Sequence, residues 1–162
     1  MVESFNPQEI LKVAIAVEKN GKELYEALEA KTKSKELTEV WKYLKEQEIE
    51  HAKIFQDILD NSGDYLIYEY GIFGEHDAYL RALASSYIFT QELIEKKKKE
   101  LFDSDLDAIS FGIDIEKESI IVYLSLKDYL ISDKQSILDK IIGEEKKHLV
   151  RLIDLRNRFV SE

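Results

Sequence analysis

Two parts of this sequence repeat each other, and the repeat limits the fold more than any other feature. The segment Glu18-Lys-Asn-Gly-Lys-Glu-Leu-Tyr25 returns as Glu116-Lys-Glu-Ser-Ile-Ile-Val-Tyr123, with Glu and Tyr both offset by 98 residues. Glu48-Ile-Glu-His51 returns as Glu145-Lys-Lys-His148 at an offset of 97. Self-similarity at a fixed offset marks a supersecondary unit used twice. A loop one residue shorter between the paired helices of the second half accounts for the difference between the offsets.

Each repeated unit reads as two amphipathic helices. Glu18 shares a face with Ala14, Val17, Gly21, Tyr25 and Leu28, and Glu48 and His51 interrupt the line Leu44, Gln47, Phe55, Ile58. Glu116 interrupts Ile109, Gly112, Ile113 and Tyr123, while Glu145 and His148 lie between Leu138, Ile141, Leu152 and Leu155. These spacings of three, four and seven belong to a helix with one buried face.

Capping signals set the boundaries. Asn6-Pro7 with Glu9 opens a helix over 7–32, and Ser34 caps one over 35–60 that stops at Asn61-Ser62-Gly63-Asp64. Ser104 with Asp107 opens a third over 105–131, and Ser132 with Gln135 opens a fourth over 133–160. Residues 61–104 form one long crossover, irregular or extended from Gly63 to Gly74 through the run Tyr65–Tyr70. Further helix follows from about Glu75 to Glu100, broken near Thr90. Short turns make the first and last pairs antiparallel neighbours. The expectation is an all-α, four-helix bundle filling residues 1–162 as a single domain.

The charged residues on the apolar stripes carry the chemistry. Four Glu carboxylates converging in a core cannot stay ionised without positive charge beside them. The lysines nearest in sequence, Lys19, Lys22, Lys53, Lys117, Lys146 and Lys147, fall on the outer faces. Two divalent cations would supply the charge. Residues three apart on a helix are neighbours, so each Glu-x-x-His offers an oxygen and a nitrogen to one ion. Glu18 and Glu116 then bridge or ligate terminally, and the expected ligand set is Glu18, Glu48, His51, Glu116, Glu145 and His148. Tyr25 and Tyr123 are placed to hydrogen-bond the carboxylates from behind, or to pack as ordinary core aromatics. Gly21 either permits close helix approach or merely tolerates it. His76 is read as a surface or packing residue, and Lys96–Lys99 as a solvated helix end.

Composition removes several alternatives. A net charge of −10 argues against nucleic acid and anionic membrane surfaces. The absence of cysteine excludes disulfides, thiolate zinc sites and Cys-ligated iron–sulfur clusters within this sequence. No stretch approaches the apolar length needed to cross a bilayer, and a cytoplasmic location is expected.

The helix-one pattern E-x-x-G-x-x-x-Y and the two E-x-x-H helices resemble the rubrerythrin-like branch of the ferritin-like di-iron carboxylate superfamily, across the four main helices. The same ligand set is described for ferritin-like di-iron and di-manganese bundles. The resemblance implies a ferritin-like four-helix bundle and a di-iron centre held by the six residues named above, with manganese or zinc as substitutes. It also implies a homodimer and chemistry on hydrogen peroxide or dioxygen. Two departures are visible: there is no Cys-rich rubredoxin segment, and Ser119 stands where rubrerythrins tend to carry an additional Glu. Electrons are therefore expected from a separate donor such as a rubredoxin-like protein. The leading expectation is a non-haem di-iron oxidoreductase. Ferroxidase or iron storage, di-manganese catalase-like chemistry, and a metal-stabilised module without redox activity remain as alternatives.

Overall fold

The computed structural model describes residues 6–66, 78–79, 82–84, 90–100 and 102–161. Among them are α1 (Pro7–Lys31), α2 (Lys35–Asp60), the single turn α3 (Ser62–Tyr65), α4 (Gln91–Glu100), α5 (Asp105–Lys127) and α6 (Gln135–Ser161). A 3₁₀ turn, Ser132–Lys134, precedes α6. The Tyr-rich stretch beyond Leu66 and His76 lie outside the described residues.

Side chains close the helix starts. Asn6 Oδ1 accepts the Gln8 amide at 3.0 Å, and Ser34 Oγ accepts that of Leu37 at 3.4 Å. Ser104 Oγ accepts the Asp107 amide at 3.1 Å and donates to the Asp107 carboxylate at 2.9 Å. Thr90 Oγ1 accepts the Leu93 amide at 3.3 Å, so the break expected near Thr90 is the start of α4. Caps of this kind contribute about 1 kcal/mol each.

Three boundaries differ from the sequence reading, all where the crossover meets the second helical pair. Ser62–Tyr65 forms a helical turn where irregular chain was expected. The third long helix stops at Lys127 rather than 131. Here Leu66 and Leu130 pair as an isolated antiparallel bridge, and the Ile131 amide donates to the Tyr65 carbonyl at 3.0 Å. Backbone pairing with the crossover thus competes with the last turn of α5, and burial of Leu66 and Leu130 rewards it. Ser132 opens the 3₁₀ turn, and α6 begins only at Gln135.

The core is two apolar clusters. One gathers Ile10, Leu11, Ala14 and Val17 of α1, Phe55 and Ile58 of α2, Val122, Tyr123 and Leu126 of α5, and Leu138 and Ile141 of α6. The other gathers Leu24, Tyr25 and Leu28, then Leu37, Trp41 and Leu44, then Ile109 and Ile113, then Leu152 and Leu155. Along the chain, α1 and α6 pass from the first cluster to the second, whereas α2 and α5 pass the other way. The end of α2 and the start of α5 therefore lie at opposite ends of the bundle, which is why the connection is long. α4 runs beside α1 and buries Ile94 in the second cluster. α1 packs closely on α2 and α5, and α5 on α6, while the seam between α2 and α6 is wider. Among the described residues no helix is long and apolar enough to cross a membrane.

Trp41 anchors the second cluster: it is fully buried, stacks on Tyr25 at 5.8 Å and 11°, and donates from Nε1 to Thr32 Oγ1 at 3.1 Å. Trp41→Ala is expected to lower stability by about 3–5 kcal/mol, measured as the shift of the urea unfolding midpoint at unchanged slope.

Candidate metal centre

Between the two apolar clusters lies a layer of ionisable side chains. α1 contributes Glu18, α2 Glu48 and His51, α5 Glu116, and α6 Glu145 and His148, none more than 1% exposed. Helical pitch brings each to the bundle axis, because each occupies the same stripe as its apolar neighbours. Among the described residues no Lys or Arg is buried with them.

The geometry is that of two overlapping donor groups. His51 Nδ1 lies 2.7 Å from Glu145 Oε1 and 3.6 Å from Glu18 Oε1. His148 Nδ1 lies 3.1 Å from Glu145 Oε2 and 3.6 Å from Glu116 Oε2. The two oxygens of Glu145 thus face different imidazoles, whose rings stack 6.1 Å apart. Donor atoms of Glu48, Glu116, Glu145 and His148 fall within 4.8 Å of one another, as do those of Glu18, His51 and Glu145. The structure brings together all six residues singled out from the sequence, with Glu145 common to both groups.

Glu18 Oε2, Glu48 Oε2, Glu116 Oε2, Glu145 Oε1, His51 Nδ1 and His148 Nε2 are buried with no hydrogen-bond partner. Even His51 Nδ1 and Glu145 Oε1, close as they are, lack hydrogen-bond alignment. Buried polar atoms are nearly always satisfied. All of those in this layer but His148 Nε2, whose ring turns Nδ1 to the carboxylates instead, are atoms that a pair of cations bound by nitrogen and oxygen donors would resolve.

The tyrosines cross between the halves. Tyr25 of α1 donates to Glu116 Oε1 of α5 at 2.6 Å, and Tyr123 of α5 donates to Glu18 Oε1 of α1. Each ring is also core: Tyr25 lies on Trp41, and Tyr123 is 4.7 Å from Phe55. At Gly21 the close approach is that of a side chain from α2. A Cβ there would stand 2.8 Å from Glu48 Oε2, so the missing side chain makes room for that carboxylate. Its counterpart in the repeat, Ser119, is buried and donates to the Ile115 carbonyl at 3.0 Å, back into its own helix.

Two residues outside the sequence reading join the site. Glu144 Oε2 is 3.0 Å from His51 Nε2. Tyr43 meets the His148 ring edge-on at 5.6 Å, with the Arg151 guanidinium 4.9 Å from its own ring centre. Neither had a sequence signal: Glu144 is one acidic residue in a charged run, and the ring orientation that selects it is a tertiary property.

Burial dominates the proton affinities. It raises Glu18 and Glu48 well above the usual carboxylate range, reinforced by Glu145 and Glu18 respectively, and with Glu145 nearby it pushes Glu116 up to about 8. Burial opposes the charge of Glu145 too, but contacts with His148 and His51 outweigh it and hold that carboxyl below its ordinary range. Burial also opposes imidazolium, yet the surrounding carboxylates raise His51 to about 9 and His148 to about 10. Tyr25 and Tyr123 are pushed up by burial and by Glu116 and Glu18.

The sequence pattern of the rubrerythrin family matches residues 9–155. A solved structure from Thermotoga maritima, of a protein described as a ferritin-like diiron-carboxylate protein, is similar with a TM-score of 0.67 and 27% sequence identity. The likeness covers 97% of this chain and 98% of that one. No curated protein matches.

Raised carboxyl and imidazole pKa values mean that the folded chain, held free of metal by a chelator, keeps protons that the unfolded chain has released. The stability these groups contribute is present at low pH and lost as pH rises through their folded values, about 8 for Glu116, 9 for His51 and 10 for His148. Glu145 acts oppositely, but only below the ordinary carboxylate range. The melting temperature of chelator-treated protein is therefore expected to fall steadily from about pH 6 to about pH 9, as followed by circular dichroism.

Proposed function

The chain belongs to the rubrerythrin family, and from that premise we propose that Glu18, Glu48, His51, Glu116, Glu145 and His148 hold two iron ions that reduce hydrogen peroxide or dioxygen. The observation that carries this reading is the pair of buried donor groups sharing Glu145, with unpartnered nitrogen and oxygen atoms between them. When bound, the metal pair supplies electrons and Lewis acidity for cleaving the O–O bond.

The protein's part is placement and protection. His51 and His148 present Nδ1 inward, each beside one carboxylate oxygen of the shared residue Glu145. Tyr25 and Tyr123 each donate to one oxygen of Glu116 and Glu18 and leave the other, Oε2, as a free donor atom. Their phenols keep their protons, because burial and the facing carboxylates push both pKa values up. Above and below, Phe55 and Trp41 belong to apolar clusters that keep bulk water from the layer. The wider seam between α2 and α6, where Tyr43 and Glu144 sit, is the side on which a small oxidant would approach. These residues carry no cysteine for an electron-transfer centre, so electrons come from a donor outside them.

Iron loaded anaerobically should bind at two equivalents per chain, gain near-ultraviolet absorption on adding peroxide, and bleach with a reductant. A chain that binds iron but shows neither change would sink the oxidoreductase reading. Gly21→Ala separates the site from the fold. The helix itself gains about 0.5–1 kcal/mol, while the new methyl displaces the Glu48 carboxylate. Iron affinity is expected to fall at least about tenfold with no loss of metal-free melting temperature, the two being read by equilibrium dialysis and calorimetry.

A further inference from the structure

The two halves of the site differ, and the difference lies just outside the six repeated residues. His51 turns Nδ1 toward Glu145 and Glu18 and sets Nε2 3.0 Å from Glu144 Oε2. The Glu144 side chain is 29% exposed, at the rim of the layer. At the same offset of 97 that relates Glu48 to Glu145, the counterpart of Glu144 is Gln47, a neutral carboxamide. Correspondingly, His148 Nε2 is buried without a hydrogen-bond partner, and that ring is flanked by Tyr43. The inner donors are unequal in the opposite sense. Three carboxylates gather with His148, from Glu48, Glu116 and Glu145, whereas only Glu18 and Glu145 gather with His51. The half with fewer inner carboxylates is the half with an outer one.

We infer that Glu144 is a positioning residue for one metal of the pair only, the one held through His51. By accepting from Nε2–H it fixes the tautomer whose lone pair is on Nδ1, locks the ring's rotation, and sets a negative charge behind the imidazole. Gln47 can accept a hydrogen bond but brings no charge. The His148 half, with its third inner carboxylate, holds its metal without such support. This inference rests on the metal-centre reading and deepens it, by making the two metal positions unequal in what sustains them.

Zinc, which has no redox chemistry, is the probe. It is titrated into the full chain after chelator treatment and followed by calorimetry together with imidazole nitrogen resonances, the chain having three histidines. The wild type is expected to take two equivalents. Glu144→Gln should keep one at wild-type affinity and bind the other about 10–100-fold more weakly, with the resonances of His51, not His148, failing to shift at the first equivalent. Gln47→Glu, which leaves Glu144 in place, should weaken neither. In the unmutated zinc-loaded chain, His51 should carry its proton on Nε2 and its metal on Nδ1, a reading independent of how any variant folds. A wild type that takes up no zinc overturns the metal centre and this inference together. Two equivalents in the wild type, with both unchanged or both weakened alike in Glu144→Gln, overturns the inference alone, as does a His51 proton on Nδ1.

Discussion

Four carboxyl groups and two imidazoles occupy one layer of the bundle, closed at each end by apolar side chains, and their mutual electrostatics sets the terms for the rest of the molecule. A buried carboxylate without a counter-charge costs several kcal/mol, and breaking a buried pair leaves the survivor worse placed than before. Here no Lys or Arg among the described residues is buried in the layer, so compensation must come from protons or cations. With protons, the price is visible in the values pushed up at Glu18, Glu48, Glu116, His51 and His148. On the proposed reading two cations replace those protons, and the arrangement that destabilises the bare fold becomes the source of metal affinity.

Holding such a layer requires that the helices not slide or rotate. The crossed tyrosines serve this end, since Tyr25 and Tyr123 each tie α1 to α5 through a carboxylate while their rings are locked in opposite apolar clusters. A shift of α1 along α5 would break both bonds at once and unseat Trp41 and Phe55. The long connection is part of the same geometry. Because α5 runs opposite to α1, the two repeated hairpins face each other about the layer, and the chain must travel the bundle's length between them.

How much of this could be read beforehand depended on whether a residue's role was fixed by its own helix. Glu18, Glu48, Glu116, Glu145 and both histidines were legible because an acidic or imidazole side chain on an apolar stripe is anomalous within a single helix, and because the anomaly occurs twice. Helix starts at Asn6, Ser34 and Ser104 were legible for the same local reason. The end of α5 was not, since it is decided by backbone pairing between Leu66 and Leu130, distant in sequence. The purpose of Gly21 was not legible, because the atom that fills its space belongs to α2. Glu144 and Tyr43 depend on ring orientation across the seam, which no periodicity encodes.

The duplication holds at the buried residues that the proposed reading assigns to two cations, and at the tyrosines beside them, and fails around them. Glu18 and Glu116, Glu48 and Glu145, His51 and His148, and the two tyrosines all keep their identity between the halves. Their neighbours do not: Gly21 faces Ser119 in the repeat, Gln47 faces Glu144, and Tyr43 faces Lys140. Each of these differences changes volume, charge or access next to a residue that is the same in both halves. Two metals with identical donors and identical surroundings would have no reason to differ in affinity or in order of reaction. A repeat that preserves the donors and varies what stands behind them keeps the capacity to hold a pair while allowing its members to behave differently, and in this chain the carboxylate behind His51 is where that difference is most plainly written.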